Sequence, residues 1–216
     1  MLKATVVIDP GHGGAVDVGG SSRNNAISFS GVLEKSMTLQ LGLLVRDALL
    51  ALNGADTDIK VVMTRQTDVN LGLSDRAKVA KENHAQRFLS IHFNGFDKTA
   101  RGVETLIRPE ADGNVNHADD KTFATRIQKA VLKTIKTFDA DVKDRGVKDQ
   151  KLGVLSDVSL GNTAASHPCR GCLVEIEFID VEKVDKLLNT SPTAPAVRLA
   201  IAKAIARAIL DDLKNG

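Results

Sequence analysis

Val6-Val7-Ile8-Asp9-Pro10-Gly11-His12-Gly13-Gly14 is the stretch on which the reading of this chain turns. The β-branched run from Ala4 to Ile8 predicts a buried strand, which Asp9 and Pro10 are expected to end. Three glycines then surround one histidine. Gly11, Gly13 and Gly14 allow positive φ and close approach of the backbone to whatever His12 holds. A histidine just beyond the carboxyl end of a strand stands where open α/β sheets place their ligands. Two plainer readings compete. A glycine-rich turn can cradle phosphate, but Gly11-His12-Gly13-Gly14 lacks both the dinucleotide fingerprint and the Lys-Ser/Thr of a P-loop. A single loop histidine is also commonly only a solvated side chain.

Composition sets the bounds. A chain of 216 residues, 43% hydrophobic and 26% charged, is long enough for a proper core, and no linker or repeat divides it, so one domain over residues 1–216 is expected. A net charge of +2 without a Lys/Arg stripe argues against nucleic acid, and the absence of Trp and Tyr removes a stacking platform for bases or sugars. No apolar run approaches the roughly 20 residues of a membrane span. Met1-Leu2-Lys3 leads straight into the first strand with no signal-peptide pattern, which predicts a soluble protein made in the cytoplasm unless a leader lies outside this sequence. Cys169-Arg170-Gly171-Cys172 has C-x-x-C spacing, but two thiols do not close a four-cysteine zinc site. Local packing or a strained disulfide is the expectation there.

Outward from the first strand, residues 15–31 read as a long Gly/Ser/Asn-rich loop. A helix is predicted from about Leu33 to Leu52, with Met37, Leu41, Val45 and Leu49 on its buried stripe. Glu34 opens that inward face, where a carboxylate is costly unless paired; a first-turn acid complementing the helix dipole is the plainer account. A second strand is expected over Asp58 to Thr64, and a helix capped by Ser74 over Asp75 to Ala85. A third strand, Arg87 to Phe93, ends in Ser90-Ile91-His92-Phe93-Asn94. A structural, hydrogen-bonded histidine is the plainer account of His92. A fourth strand is predicted over Gly102 to Ile107, then a helix with Phe123, Ile127, Ala130, Val131 and Phe138 on one face. Asp139 to Lys151 reads as a solvated charged stretch, Gly153 to Leu155 as a short strand, and Ser156 to Pro168 as a loop.

The last strand, Gly171 to Ile179, carries Leu173, Glu175, Glu177 and Ile179 on one side by period two, which an edge strand facing water would also explain. A final helix starts at Pro195 with Val197, Ile201, Ile205 and Ile209 inward. Strands alternating with helices predict an α/β fold: a mostly parallel twisted sheet of about six strands with helices on both faces. In such a sheet, strand ends and helix starts share one rim, so His12, Glu34 and His92 can converge. Two histidines and a glutamate with an open fourth position form the ligand set of catalytic zinc, and Glu175 fits the remaining role of proton carrier.

These residues sit in recognisable words. Ile8-Asp9-Pro10-Gly11-His12-Gly13-Gly14, Leu33-Glu34-Lys35, Met63-Thr64-Arg65-Gln66-Thr67-Asp68, Leu73-Ser74-Asp75-Arg76-Ala77, Ser90-Ile91-His92-Phe93-Asn94, Gly102-Val103-Glu104-Thr105 and Leu173-Val174-Glu175-Ile176-Glu177-Phe178-Ile179 follow one another across nearly the whole chain. In that order they resemble the zinc-dependent N-acetylmuramoyl-L-alanine amidases of the Amidase_3 family. The resemblance implies one catalytic Zn2+ held by His12, Glu34 and His92, with Glu175 at the catalytic position of the Leu-Val-Glu motif. It implies hydrolysis of the amide between N-acetylmuramic acid and L-alanine, with peptidoglycan as the partner and a monomer as the working form. With no leader or wall-binding module in this sequence, a phage or prophage endolysin and a bacterial wall-remodelling enzyme reduced to its catalytic domain are both expected roles. The segments between His92 and Glu175 are short and polar for a plug, so an open site is expected. Arg65 is expected to support the fold rather than the chemistry. Glu177 departs from the family, which more often has a small residue there, and as a same-face neighbour it is expected to couple to Glu175. A peptidase acting on stem peptides and a non-catalytic wall-binding relative are the competing functions.

Overall fold

The computed structural model of the chain describes residues 1–160 and 169–215. Six strands form one sheet: β1 (Leu2–Pro10), β2 (Thr57–Met63), β3 (Arg87–Asn94), β4 (Val103–Ile107), β5 (Asp144–Asp149) and β6 (Arg170–Phe178), in the order β2-β1-β3-β6-β4-β5. The first four in that order run parallel, while β4 pairs antiparallel with β6 and parallel with β5. The expected mostly parallel sheet is therefore present.

Alternate residues of the central strands face opposite layers. Val6 and Ile8 of β1, Leu89 and Ile91 of β3 and Val174 and Ile176 of β6 join one core. There they meet α1 (Glu34–Leu50), α3 (His117–Lys136) and α6 (Ala194–Asn215), through Met37, Leu41, Val45, Phe123, Ile127, Val131, Ile201 and Ile205. Val7, Phe88 and Leu173 face the other layer and pack with Ala77 and Ala80 of α2 (Leu73–Glu82) and Val154 and Leu155 of α4 (Gly153–Ser156). Burial on both faces is why these strands read as continuous apolar runs rather than alternating ones. A short α5 (Glu182–Asp185) leads into a π turn over Lys186–Thr190 before α6.

Several sequence expectations are corrected. Gly72, not Ser74, occupies the cap of α2, and Ser74 lies inside the helix. Gly153 to Leu155 is the start of a helix instead of a strand, because Val154 and Leu155 both turn into the smaller core. The charged stretch 139–151 contains β5, an edge strand exposed or half-buried throughout. Phe138 lies past the end of α3 and is exposed; Ile135 takes the inward position. β6 is an interior strand, so water at a sheet edge does not explain its glutamates. Cys169 and Cys172 are free and buried, one in each core, and burial pushes both thiols well up. Packing is their role. The loop expected over 156–168 lies outside the described residues from 161 onward, and its start is a turn of 3-10 helix, Val158–Leu160.

Candidate active site

β1 and β3 run parallel, so the loop after Pro10 and the end of β3 meet on one rim, and α1 begins there as well. The local backbone of the loop is unusual. His12 takes φ 62°, a left-handed conformation rarely adopted by residues with a Cβ, and Gly13 (φ 137°) and Gly14 (φ 66°) continue it. Gly11 serves a different need: a Cβ there would lie 2.1 Å from Cε1 and 2.2 Å from Nε2 of His92. The His92 ring thus lies directly against the backbone of the His12 loop.

Two buried arginines hold that loop by its carbonyls. Arg65 donates to the Pro10 and Gly11 oxygens, each at 2.9 Å, and Arg76 to the Pro10 and His12 oxygens, each at 2.8 Å. Arg76 also pairs at 2.8 Å with Asp9, whose other hydrogen bonds come from Thr64 (2.6 Å) and Ser90 (2.7 Å). Burial works to raise the Asp9 pKa, but Arg76 and the two hydroxyls prevail and hold it below the usual value. Burial beside Arg76 likewise lowers Arg65, to about 10. This support is the role expected for Arg65. Sequence reasoning gave Arg76 no role and Asp9 only that of ending β1, which runs on through Pro10; a lone acid closing an apolar strand was the available signal.

The histidines and Glu34 converge. Oε1 of Glu34 lies 3.2 Å from Nε2 of His12 and 3.1 Å from Nδ1 of His92, and the two imidazole centroids are 4.8 Å apart at 79°. One donor atom from each of the three lies within 4.8 Å of the others, the only such His/Cys/Asp/Glu group among the described residues. Glu34 is fixed from behind by the Ala26 and Phe93 amides, which donate to its carboxylate at 2.8 and 3.1 Å. The Ser22 carbonyl lies 3.0 Å from Nδ1 of His12. A proton on that nitrogen leaves Nε2 with a free lone pair. Burial disfavours the charged Glu34, but the two imidazoles beside it, His12 and His92, overcome it and bring its pKa to about 2. Burial likewise opposes charge on His12, and Glu34 outweighs it, raising the imidazole.

Glu175 is the register partner of His92 across β3 and β6, and of Glu104 across β4. Burial, then the charges of Glu34 and Glu104, push its carboxyl well above the usual range. Its Oε2 is buried without a hydrogen-bond partner. Glu177 does not share this environment. A β-bulge sets three residue steps of β6 (Glu175 to Phe178) against two of β3 (His92 to Asn94). The fully buried Glu177 carboxylate instead accepts from Arg101 (2.9 and 2.7 Å) and the Gly102 amide (2.7 Å). Period-two counting across that bulge is what made it look like a neighbour of Glu175, and the expected coupling is corrected: the charges that raise Glu175 are those of Glu34 and Glu104. Between His92 and Glu175 the chain builds β4, α3, β5 and α4, while 161–168, which the expectation of an open site also covers, lies outside the described residues.

The arrangement matches known proteins closely. The N-acetylmuramoyl-L-alanine amidase model, Amidase_3, fits residues 6–210. The chain belongs to the Amidase_3 family. An uncharacterized cell wall amidase of Bacillus anthracis is 31% identical over 96% of this chain, which spans 35% of that protein's length. The N-acetylmuramoyl-L-alanine amidase CwlM of Bacillus licheniformis is 29% identical over 96% of this chain and 69% of its own. Among solved structures, the N-acetylmuramoyl-L-alanine amidase from Clostridium difficile 630 superposes with a TM-score of 0.76 at 26% identity, covering 99% of this chain and 98% of that one. This single layered sheet is thus the fold of Amidase_3 catalytic domains.

Proposed function

We propose that residues 1–216 act as one zinc-dependent catalytic domain that hydrolyses the amide between N-acetylmuramic acid and L-alanine in peptidoglycan, with His12, Glu34 and His92 as the metal ligands and Glu175 as the proton carrier. The observation that supports it most is the buried Nε2 of His12, which has no hydrogen-bond partner though it sits 3.2 Å from Glu34. A buried nitrogen with a free lone pair is costly unless something accepts it, and a cation held with Glu34 and His92 does. Two imidazoles and one carboxylate suit zinc with a fourth position left open. When bound, zinc supplies Lewis-acid activation of water, whose pKa falls to about 7.

The chain's own residues do the rest. The Ser22 carbonyl holds the His12 tautomer, and the Ala26 and Phe93 amides orient Glu34. Oε2 of Glu175, buried and unpartnered, takes a proton from the attacking water and returns it to the nitrogen of the leaving L-alanine. All four residues come from one chain, which suits a monomer. No described helix is long and apolar enough to cross a membrane, and the substrate places the enzyme at the cell wall, in lysis or in remodelling.

Metal analysis joined to wall digestion tests this reading. About one zinc per chain is expected, with release of stem peptides bearing a free L-alanine amino terminus in mass spectra. A chelator should stop the release and zinc restore it. Cleavage between amino acids of the stem peptide would make the protein a peptidase, and wall digestion by His12→Ala at the parent rate would exclude the metal site.

A further inference from the structure

Beside Glu175 lies a cleft of about 350 Å³, lined among others by Asn94, Phe96, Ala100, Glu104, Arg145 and Phe178. It is linked to the candidate site through Asn94 and Glu104. Asn94 closes β3 two residues after His92 and donates to Glu104 at 2.8 Å, and Glu104 is the register partner of Glu175. Two bulges shape it. The one in β6 carries Phe178 opposite Asn94, and one in β5 leaves Arg145 unmatched between Asp144, opposite Val103, and Gly146, opposite Glu104. Gly146 has φ 77°, which a side chain there would resist. Bulges beside functional sites commonly re-aim a side chain.

Here the re-aimed side chain is a cation. The Arg145 guanidinium lies 5.0 Å from the centroid of the Phe178 ring, and its Nε donates to Glu104 at 2.9 Å. Among the described residues its two terminal nitrogens have no hydrogen-bond partner. Lys148 pairs with the same Glu104 oxygen, so two cations share one carboxylate, and with Asp97 the two charge signs balance across the wall. The carboxylate of Asp97 in the same wall is taken up by the Thr99 and Ala100 amides at 2.9 and 2.7 Å. Phe96 stands at the mouth, 80% exposed.

The direction of the reaction says what enters. Glu175 must hand its proton to the departing amine, and it sits between His92 and the β4–β5 side of the sheet. The amine half of the substrate therefore leaves on the side of this cleft. From this placement we infer that the cleft binds the stem peptide and that Arg145 is a specificity-determining residue, reading a free carboxylate on the residue that follows L-alanine. The inference rests on the amidase reading above. A planar guanidinium with open donors recognises a carboxylate in bidentate fashion, which a carboxamide cannot reproduce.

The test uses the zinc-loaded protein and two muropeptides that differ only in whether the α-carboxyl of the second stem residue is free or amidated. The wild type is expected to favour the free carboxylate about tenfold or more in kcat/KM, mainly through KM. Arg145→Gln should bring that ratio close to one, and Arg145→Lys should restore part of it. Calorimetric binding of the matching stem peptides to wild-type and Arg145→Gln protein gives a second readout that needs no turnover, with unchanged melting temperatures as the folding control. An equal wild-type preference for both substrates, or a ratio untouched by Arg145→Gln, overturns the inference. Should neither muropeptide be cut, the amidase reading is what fails, and equal binding of both peptides would then overturn the cleft assignment on its own.

Discussion

At the scale of single residues, the site depends on contacts that leave no room. Gly11 and His92 are the clearest case, since any Cβ at Gly11 must push the imidazole away. Gly11→Ala is expected to lower stability by about 1–3 kcal/mol, as overpacking does. It should also weaken zinc roughly tenfold to a hundredfold, as other disturbances of ligand orientation do. Competition with a chromophoric chelator measures the second effect, and unchanged zinc affinity would show that the ring is not a ligand. Glu175→Gln separates chemistry from metal binding: zinc content should be retained while kcat falls about 10²- to 10⁴-fold. An unchanged kcat would move the proton transfer elsewhere. The residues themselves were legible in the sequence because His12 and His92 close apolar strands, Glu34 opens an apolar helix face and Glu175 interrupts an apolar strand, each a costly and conspicuous placement. The positive φ of His12 was not legible, because nothing in its residue type announces it.

At the scale of elements, the loop that carries His12 is fixed from outside. Arg65 follows β2 and Arg76 lies on α2, yet both end on carbonyls of residues 10–12. Removing Arg76 leaves the Asp9 charge buried without its partner, which for such pairs costs about 3–5 kcal/mol. Arg76→Met is therefore expected to lower the urea midpoint sharply and to release zinc more readily, with Arg65→Met milder because Arg65 holds no carboxylate at hydrogen-bond distance. A loss within 0.5 kcal/mol for Arg76→Met, of the size usual at plain surface sites, would show the clamp to be dispensable. The elements were readable wherever a core imposed a period, as in β1, α1, β3 and α6. They were misread where it did not: β5 has no buried face to reveal it, and Val154-Leu155 is too short a pair to tell a strand from a helical turn.

At the scale of the whole molecule, the buried carboxylates set how stability follows pH in the zinc-free protein. Asp9, held down by Arg76 against its burial, and Asp139, brought to about 2 by Lys183 and Arg101 against its own, bind protons more weakly in the folded state. Their contribution is present above the unfolded value near 3.8 and is lost as pH falls through the depressed folded values. Asp120 and Glu175 act with the opposite sign. Burial raises Asp120 to about 6 and Glu175 well above 4.5, so the folded state holds those protons longer and stability declines as pH rises past the unfolded values. His12, raised by Glu34, adds to the decline above 6.5. Urea unfolding in the presence of a chelator should thus find stability rising from pH 2 to about 4 and falling from about pH 5 to 7. In Glu175→Gln the fall that sets in above the unfolded carboxyl value of about 4.5 should be visibly shallower, leaving the contributions of Asp120 and His12. A wild-type curve that keeps rising through neutrality would contradict the raised Glu175 carboxyl of the zinc-free protein.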